Sequence, residues 1–137
     1  MGDKVTTKNV TIVFNKPKYS ANIGLAARCA INMGIERLFV ITNGRQYDKD
    51  EIKRTATHYA SSFIEEMCYF DRLDSALSQF NYIVGTTART GNTNLKRSIT
   101  TPRKMAEQLT SISYENNVAL LFGPEDRGLT NDELRYC

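Results

Sequence analysis

Apolar residues fall into short blocks, separated by stretches in which they recur every three or four positions. The blocks VTIVF (10 to 14), RLFVI (37 to 41), CYF (68 to 70), NYIVGT (81 to 86) and NVALLF (117 to 122) are short and rich in β-branched and aromatic residues, which predicts buried strands. Helical spacing predicts helices over 22 to 33, 48 to 66, 72 to 79, 102 to 110 and from 130 onward. Strand and helix thus alternate throughout. The alternation predicts an α/β fold, a parallel sheet with helices on both faces, whose ligands bind beyond the carboxyl ends of the strands.

Local signals sharpen the boundaries. Asn22 is expected to cap the first helix, with Ile23, Ala27, Ala30 and Ile31 on its inner face and Gly34 as its left-handed stop. Thr101 before Pro102 reads as a cap and first turn, and Thr130 with Glu133 as a capping box. Residues 123 to 129 then form a loop at the ligand-binding edge. In it Gly123 leaves room for a ligand against the backbone, Pro124 stiffens the turn, Gly128 permits positive φ, and Glu125 sits on a short tether. Near the other end, Arg28 follows Gly24 by one turn, so its guanidinium is expected over a helix surface the glycine leaves bare. A guanidinium grips a carboxylate or phosphate with two parallel hydrogen bonds, and Glu125 is available if the first and last strands are neighbours. Taken singly, each feature also has a plain reading: a tight turn with solvated charges, and an arginine stem covering apolar surface.

Composition narrows the classes. With 137 residues, 41% hydrophobic and 24% charged, the chain is expected to be one domain, residues 1 to 137. The first residues hold no apolar signal core and no apolar run is long enough to cross a bilayer, so a cytoplasmic site is the default expectation and no membrane partner is implied. Cys29, Cys68 and Cys137 are odd in number and far apart, and His58 is the sole histidine, which argues against disulfides and against a metal site. Cys29 and methionines 33, 67 and 105 are read as packing residues, and His58 as a residue on a helix face. No G-x-G-x-x-G follows the first strand and no G-x-x-x-x-G-K-[ST] occurs, so the usual dinucleotide and NTP fingerprints are lacking.

Two longer motifs carry a resemblance. NIGLAARCAINMG (22 to 34) and ALLFGPEDRGLTNDEL (119 to 134) resemble the first and second signature motifs of the SPOUT superfamily of RNA methyltransferases, in its SpoU/TrmH-type ribose 2′-O branch. YIVGTTAR (82 to 89) is similar to the strand-plus-Gly-Thr segment of TrmJ-type tRNA methyltransferases, and TPRKMAEQL (101 to 109) to their Pro-Arg helix start. The likeness runs from about Val10 to Cys137.

The resemblance implies a trefoil-knotted α/β sheet that cradles S-adenosylmethionine, a homodimer, and metal-free 2′-O-methylation of RNA ribose, with tRNA the first expected substrate and rRNA the second. It makes Arg28 the catalytic residue, supported by Asn22 and Glu125. Thr86, Thr87, Leu121, Phe122 and Gly123 match cofactor-lining positions. Because an arginine stays protonated, Arg28 is expected to bind the RNA phosphate and stabilise the developing alkoxide, with Glu125 holding its fork. Arg89, Lys96, Arg97, Arg103 and Lys104 lie in a segment without a single acid and form the expected RNA surface, extended by Lys16 and Lys18; Tyr19 is either a stacking group or a buried ring. The family's third motif, which closes the knot, is missing, so the chain is expected to be a domain truncated after the second motif that binds S-adenosylmethionine weakly by itself. A noncatalytic RNA-binding or assembly module on the same scaffold is the alternative.

Overall fold

Every residue of β1 (Val10–Asn15) is buried, which marks it as the centre of the sheet. The computed structural model describes residues 4–86 and 101–137. In it β1 is flanked by β2 (Arg37–Ile41) and β5 (Val118–Phe122), with β3 (Cys68–Phe70) and β4 (Tyr82–Gly85) at the edges, in the order β3-β2-β1-β5-β4. All four pairings are parallel; Val13 faces Phe39 on one side and Leu121 on the other. A strand buried on both faces needs apolar residues at successive positions, which is why VALLF reads as an unbroken run and VTIVF as one interrupted only by the buried Thr11.

The two faces are covered unequally. Ile12, Phe14, Leu38, Val40 and Val118 pack under α1 (Ser20–Asn32), α2 (Lys49–Ala56), α3 (Ser61–Glu66) and α5 (Pro102–Glu115), whose contributions include Ile23, Ala27, Ile52, Ile64 and Leu109. Val13, Phe39, Ile41, Ala119 and Leu121 pack under the short helices α4 (Leu73–Leu77) and α6 (Asn131–Leu134), through Ala76, Leu77 and Leu134. The crossover from β3 to β4 runs opposite to the others, so a constant crossover hand puts α4 on the second face. Each large side chain buried here contributes about 1.5–3 kcal/mol relative to exposure.

The structure corrects several sequence expectations. Helix α1 starts at Ser20 and its N-cap is Tyr19, without a side-chain cap; Asn22 lies inside the first turn, and its amide donates to Glu125. Gly34 does stop α1, at φ 78°. The expected helix over 48 to 66 is broken at Thr57, whose φ of 70° and ψ of 169° interrupt it before a 3-10 turn at His58–Ala60. The Ile52, Ala56, Ala60, Ile64 spacing runs straight through the break, so the pattern gave no sign of it. Helix α5 extends to Glu115, beyond the expected 110, and begins as expected with the Thr101 hydroxyl accepting from the Lys104 amide at 3.2 Å. The Thr130–Glu133 capping box is present. Cys29 and Met33 are exposed on α1, their sulfurs 3.5 Å apart, whereas Met67 is buried as expected. Among the described residues no helix is long and apolar enough to cross a membrane, and no group of metal-binding side chains occurs.

Candidate functional site

The adjacency of β1 and β5 brings the two signature segments together at the carboxyl edge of the sheet. Residues 16 to 19 form a short loop from β1 into α1, and three neighbouring segments hold it. From the β5–α6 loop, Glu125 Oε1 accepts from the Lys18 amide at 2.7 Å. Its Oε2 accepts from the Tyr19 amide at 3.0 Å and from Asn22 Nδ2 at 2.8 Å. From α6, Glu133 Oε2 accepts from Asn15 Nδ2 at 2.7 Å and pairs with Lys16 Nζ at 2.9 Å. From the β2–α2 side, Arg45 Nη1 and the Tyr47 hydroxyl both donate to the Pro17 carbonyl, at 3.0 and 2.7 Å.

Both carboxylates are acidified by this arrangement. Partial burial pushes the Glu125 carboxyl upward, but the Lys18 and Tyr19 amides and the Asn22 side chain outweigh it, so its pKa is lowered. Glu133 follows the same logic: burial raises it, and the Thr130 amide, Lys16 and Asn15 bring it below the ordinary value. A carboxyl acidified by folding stabilises the fold above its unfolded pKa, and that contribution is lost as pH falls through the folded value. Glu125→Gln should therefore cost about 1–2 kcal/mol at neutral pH, since one accepting oxygen becomes a donor facing donors. In urea unfolding, the gap between variant and parent should close as pH drops below 4.5, the ordinary glutamate value. A pH-independent gap would refute this role.

Asn22 and Glu125 thus meet, as the motifs imply, but Arg28 joins neither. Glu125 has no hydrogen bond or ion pair with Arg28, so the expected grip on the arginine fork is absent; the carboxylate fastens the 16 to 19 loop instead. Arg28 lies two turns along α1, half-buried, and its Nε is shut from solvent without a partner among the described residues. Gly24 does not leave a bare surface beneath it. A Cβ there would lie 1.9 Å from Thr55 Oγ1 and 2.3 Å from the Ile52 carbonyl oxygen, so the space is filled by α2. Gly123 likewise serves the loop itself: a Cβ would meet Gly128 C at 2.3 Å and Leu129 N at 2.4 Å. Gly128, at φ 70°, has the left-handed conformation its position suggested.

The positions matched to a cofactor lie at the ends of β4 and β5. The Thr86 amide and hydroxyl both donate to the Leu121 carbonyl, at 3.0 and 3.3 Å, and the Leu121 side chain is wholly buried. Leu121 therefore has little to offer a ligand. Phe122 is 39% exposed and Thr86 is exposed beside it, so an aromatic face and a polar group sit together at this edge.

Thr87, Arg89, Lys96 and Arg97 lie outside the described residues. Arg103 and Lys104 are exposed on the first turn of α5. The far end of α5 is tied beside the start of β1, where the Ser113 hydroxyl accepts from the Thr6 amide and the Ser113 carbonyl from Asn9, so its first turn points to the carboxyl edge. Four groups escaped the sequence reading: Glu133, seen there only as a capping residue, with its partner Asn15, and Arg45 with Tyr47. Their signal lies in which loops meet, and no local spacing encodes it.

The SpoU rRNA Methylase family model matches residues 9–137. The chain is 30% identical over 129 residues to the tRNA (cytidine-2′-O-)-methyltransferase TrmJ of Methanocaldococcus jannaschii, covering 93% of itself and 54% of that protein. It is 35% identical to the tRNA (cytidine/uridine-2′-O-)-methyltransferase TrmJ of Sodalis glossinidius, covering 94% of itself and 49% of that protein. Among solved structures, a probable methylase family protein from Haemophilus influenzae superposes with a TM-score of 0.84 at 30% identity, over 96% of this chain and 54% of that one. TrmJ from Z. mobilis gives 0.78 at 26% identity, over 89% of this chain and 52% of that one. The chain spans about half the length of the curated relatives it matches. With the family model covering nearly its whole length, and its two signature segments joined through Glu125 at the sheet edge, the chain belongs to the SpoU rRNA Methylase family.

Proposed function

We propose that the protein is an S-adenosylmethionine-dependent 2′-O-methyltransferase acting on RNA ribose, with tRNA as the substrate class, as the names of its relatives support. The observation that carries the reading is the contact between the two motifs: Glu125 bonded at once to Lys18, Tyr19 and Asn22. A sulfonium methyl is already a good electrophile, so this chain's residues have mainly to place a ribose hydroxyl and absorb its developing charge, where positioning contributes about 7–11 kcal/mol.

In this reading S-adenosylmethionine supplies the methyl group, and Phe122 and Thr86 would hold its nucleoside, with Thr87 and the backbone at Gly123 alongside; the Leu121 carbonyl, taken by Thr86, would serve only to place Thr86. Arg28 supplies a permanent positive charge. Its Nε is buried and has no partner among the described residues, so it is the terminal nitrogens of this half-buried guanidinium that would meet an RNA phosphate and the alkoxide. Glu125 acts as a positioning residue, holding Asn22 and the loop; the hydroxyl proton would leave to solvent water as the O–CH3 bond forms and the sulfonium departs as a neutral thioether. Leu25 and Met33, 47% and 52% exposed, give α1 an apolar outer face that a second copy would cover in a homodimer. Arg103 and Lys104, with Arg89, Lys96 and Arg97, would bind the RNA backbone.

The test is mass-spectrometric mapping of ribose methylation in RNA from cells with and without the gene. Loss of one 2′-O-methylated tRNA nucleotide supports the reading. Unchanged methylation in cells whose protein still binds RNA would favour a noncatalytic module.

A further inference from the structure

Beside the site just described, on the β2 side, the loops after β1, β2 and β5 enclose a recess of about 210 Å³ lined by Lys16, Lys18, Arg45 and Arg127, with Asp126 as its carboxylate. Four cations from three separate loops face one acid. That acid is already paired with Lys18 Nζ at 3.3 Å, and Lys16 is paired with Glu133. Arg45 and Arg127 take part in no ion pair among the described residues. Neither guanidinium therefore has an ion-pair partner at the recess, although Asp126 feels the charge of Arg127, and Arg45 is anchored there by its hydrogen bond to the Pro17 carbonyl.

The backbone is unusual at the same place. Lys16 and Asn43, both lining the recess, adopt φ of 51° and 49°, conformations disfavoured for residues with a side chain. The third such residue, Thr57, lies in the helical connection after α2 and outside this recess. Next to the recess, Tyr19 is 53% exposed, and Lys18 Nζ lies 5.5 Å from its ring centroid. An exposed aromatic face one residue from a cationic recess has the layout of a nucleotide in unpaired RNA: a phosphate in the recess and its base stacked on the ring.

We infer that this recess is a phosphodiester-binding site for single-stranded RNA, with Arg45 and Arg127 as its principal phosphate ligands and Tyr19 as the stacking platform. It rests on the RNA reading given above and adds to it a second contact surface, separate from the segment around Arg103. Asp126 has the opposite effect: it neutralises Lys18 and opposes an incoming phosphate.

The experiment is fluorescence anisotropy of the 137-residue chain with a labelled unmodified tRNA transcript and a labelled single-stranded oligoribonucleotide, each over a chloride series. Arg45→Gln with Arg127→Gln should weaken binding about tenfold and make the log–log salt slope shallower by about 1.4, twice the single-strand value of about 0.7 per phosphate contact. Tyr19→Ala should weaken the oligoribonucleotide severalfold with the slope unchanged, and Asp126→Asn should tighten it. Unfolding midpoints check that each variant is folded. If the parent binds RNA and the double variant matches it in affinity and slope, the recess is not an RNA site, while the methyltransferase reading stands. If the parent shows no salt-sensitive RNA affinity, both fall. Competition by inorganic phosphate beyond that of chloride at equal ionic strength would make the recess a free-anion site and overturn the RNA assignment.

Discussion

Arg28→Lys is expected to lower methyl transfer by about 100-fold in kcat, with KM for RNA changed far less. The expectation follows from what lysine keeps and what it loses. It keeps the positive charge, so long-range attraction to RNA is preserved. It loses the planar fork, which alone can meet a phosphate oxygen and a developing alkoxide together. Removing one donor aimed at developing charge typically costs about 10²–10³ in kcat. Arg28 Nε makes no bond to the fold among the described residues, and Glu125 is committed to Lys18, Tyr19 and Asn22. Stability should accordingly be little affected. Steady-state transfer of labelled methyl to tRNA measures both constants, and thermal unfolding checks integrity. Turnover within threefold of the parent would show that the fork is not used.

Gly24→Ala should be strongly damaging although it adds a single methyl group. Its Cβ would lie 1.9 Å from Thr55 Oγ1, 2.3 Å from the Ile52 carbonyl and 2.9 Å from the Ala56 nitrogen. Two of these three atoms are backbone, and Thr55 is itself fixed by a 2.8 Å bond to the Ala21 carbonyl. The neighbours cannot yield by rotating a side chain, so α1 and α2 must separate over the sheet. Overpacking usually costs about 1–3 kcal/mol, and backbone opposition puts this case at the upper end, about 3 kcal/mol. A loss of that size should lower the unfolding midpoint by about 10 °C. Gly44→Ala is the control: at φ 81° with nothing within 4 Å, it should cost only the left-handed penalty of about 1–2 kcal/mol. Equal losses in the two variants would mean the helix contact is looser than described.

The strands were legible because a central parallel strand buries both faces and so declares itself without reference to the rest of the chain; β1, β2 and β5 all do this. The caps at Thr101 and Thr130 were legible for a related reason, since donor and acceptor lie three residues apart. Relations across the sheet were not. Gly24 and Gly123 announce a close approach but not of what, and in both cases the neighbour is the protein's own backbone. Glu125 announces a carboxylate, yet its donors are two amides of a distant loop and Asn22, a choice fixed by strand order. Thr57 gave no warning at all, because its left-handed turn occurs without glycine and leaves the apolar spacing intact.

The loop of residues 16 to 19 has its Lys18 and Tyr19 amides, its Pro17 carbonyl and its Lys16 ammonium all occupied by partners from three other segments. It follows that this surface turn cannot open by itself: lifting it breaks the grip of Glu125, Glu133 and Arg45 together. Hydrogen–deuterium exchange should find the Lys18 and Tyr19 amides slow despite their exposed position, and should find them speeding up in step with the segment 123 to 134 when Glu125 is replaced.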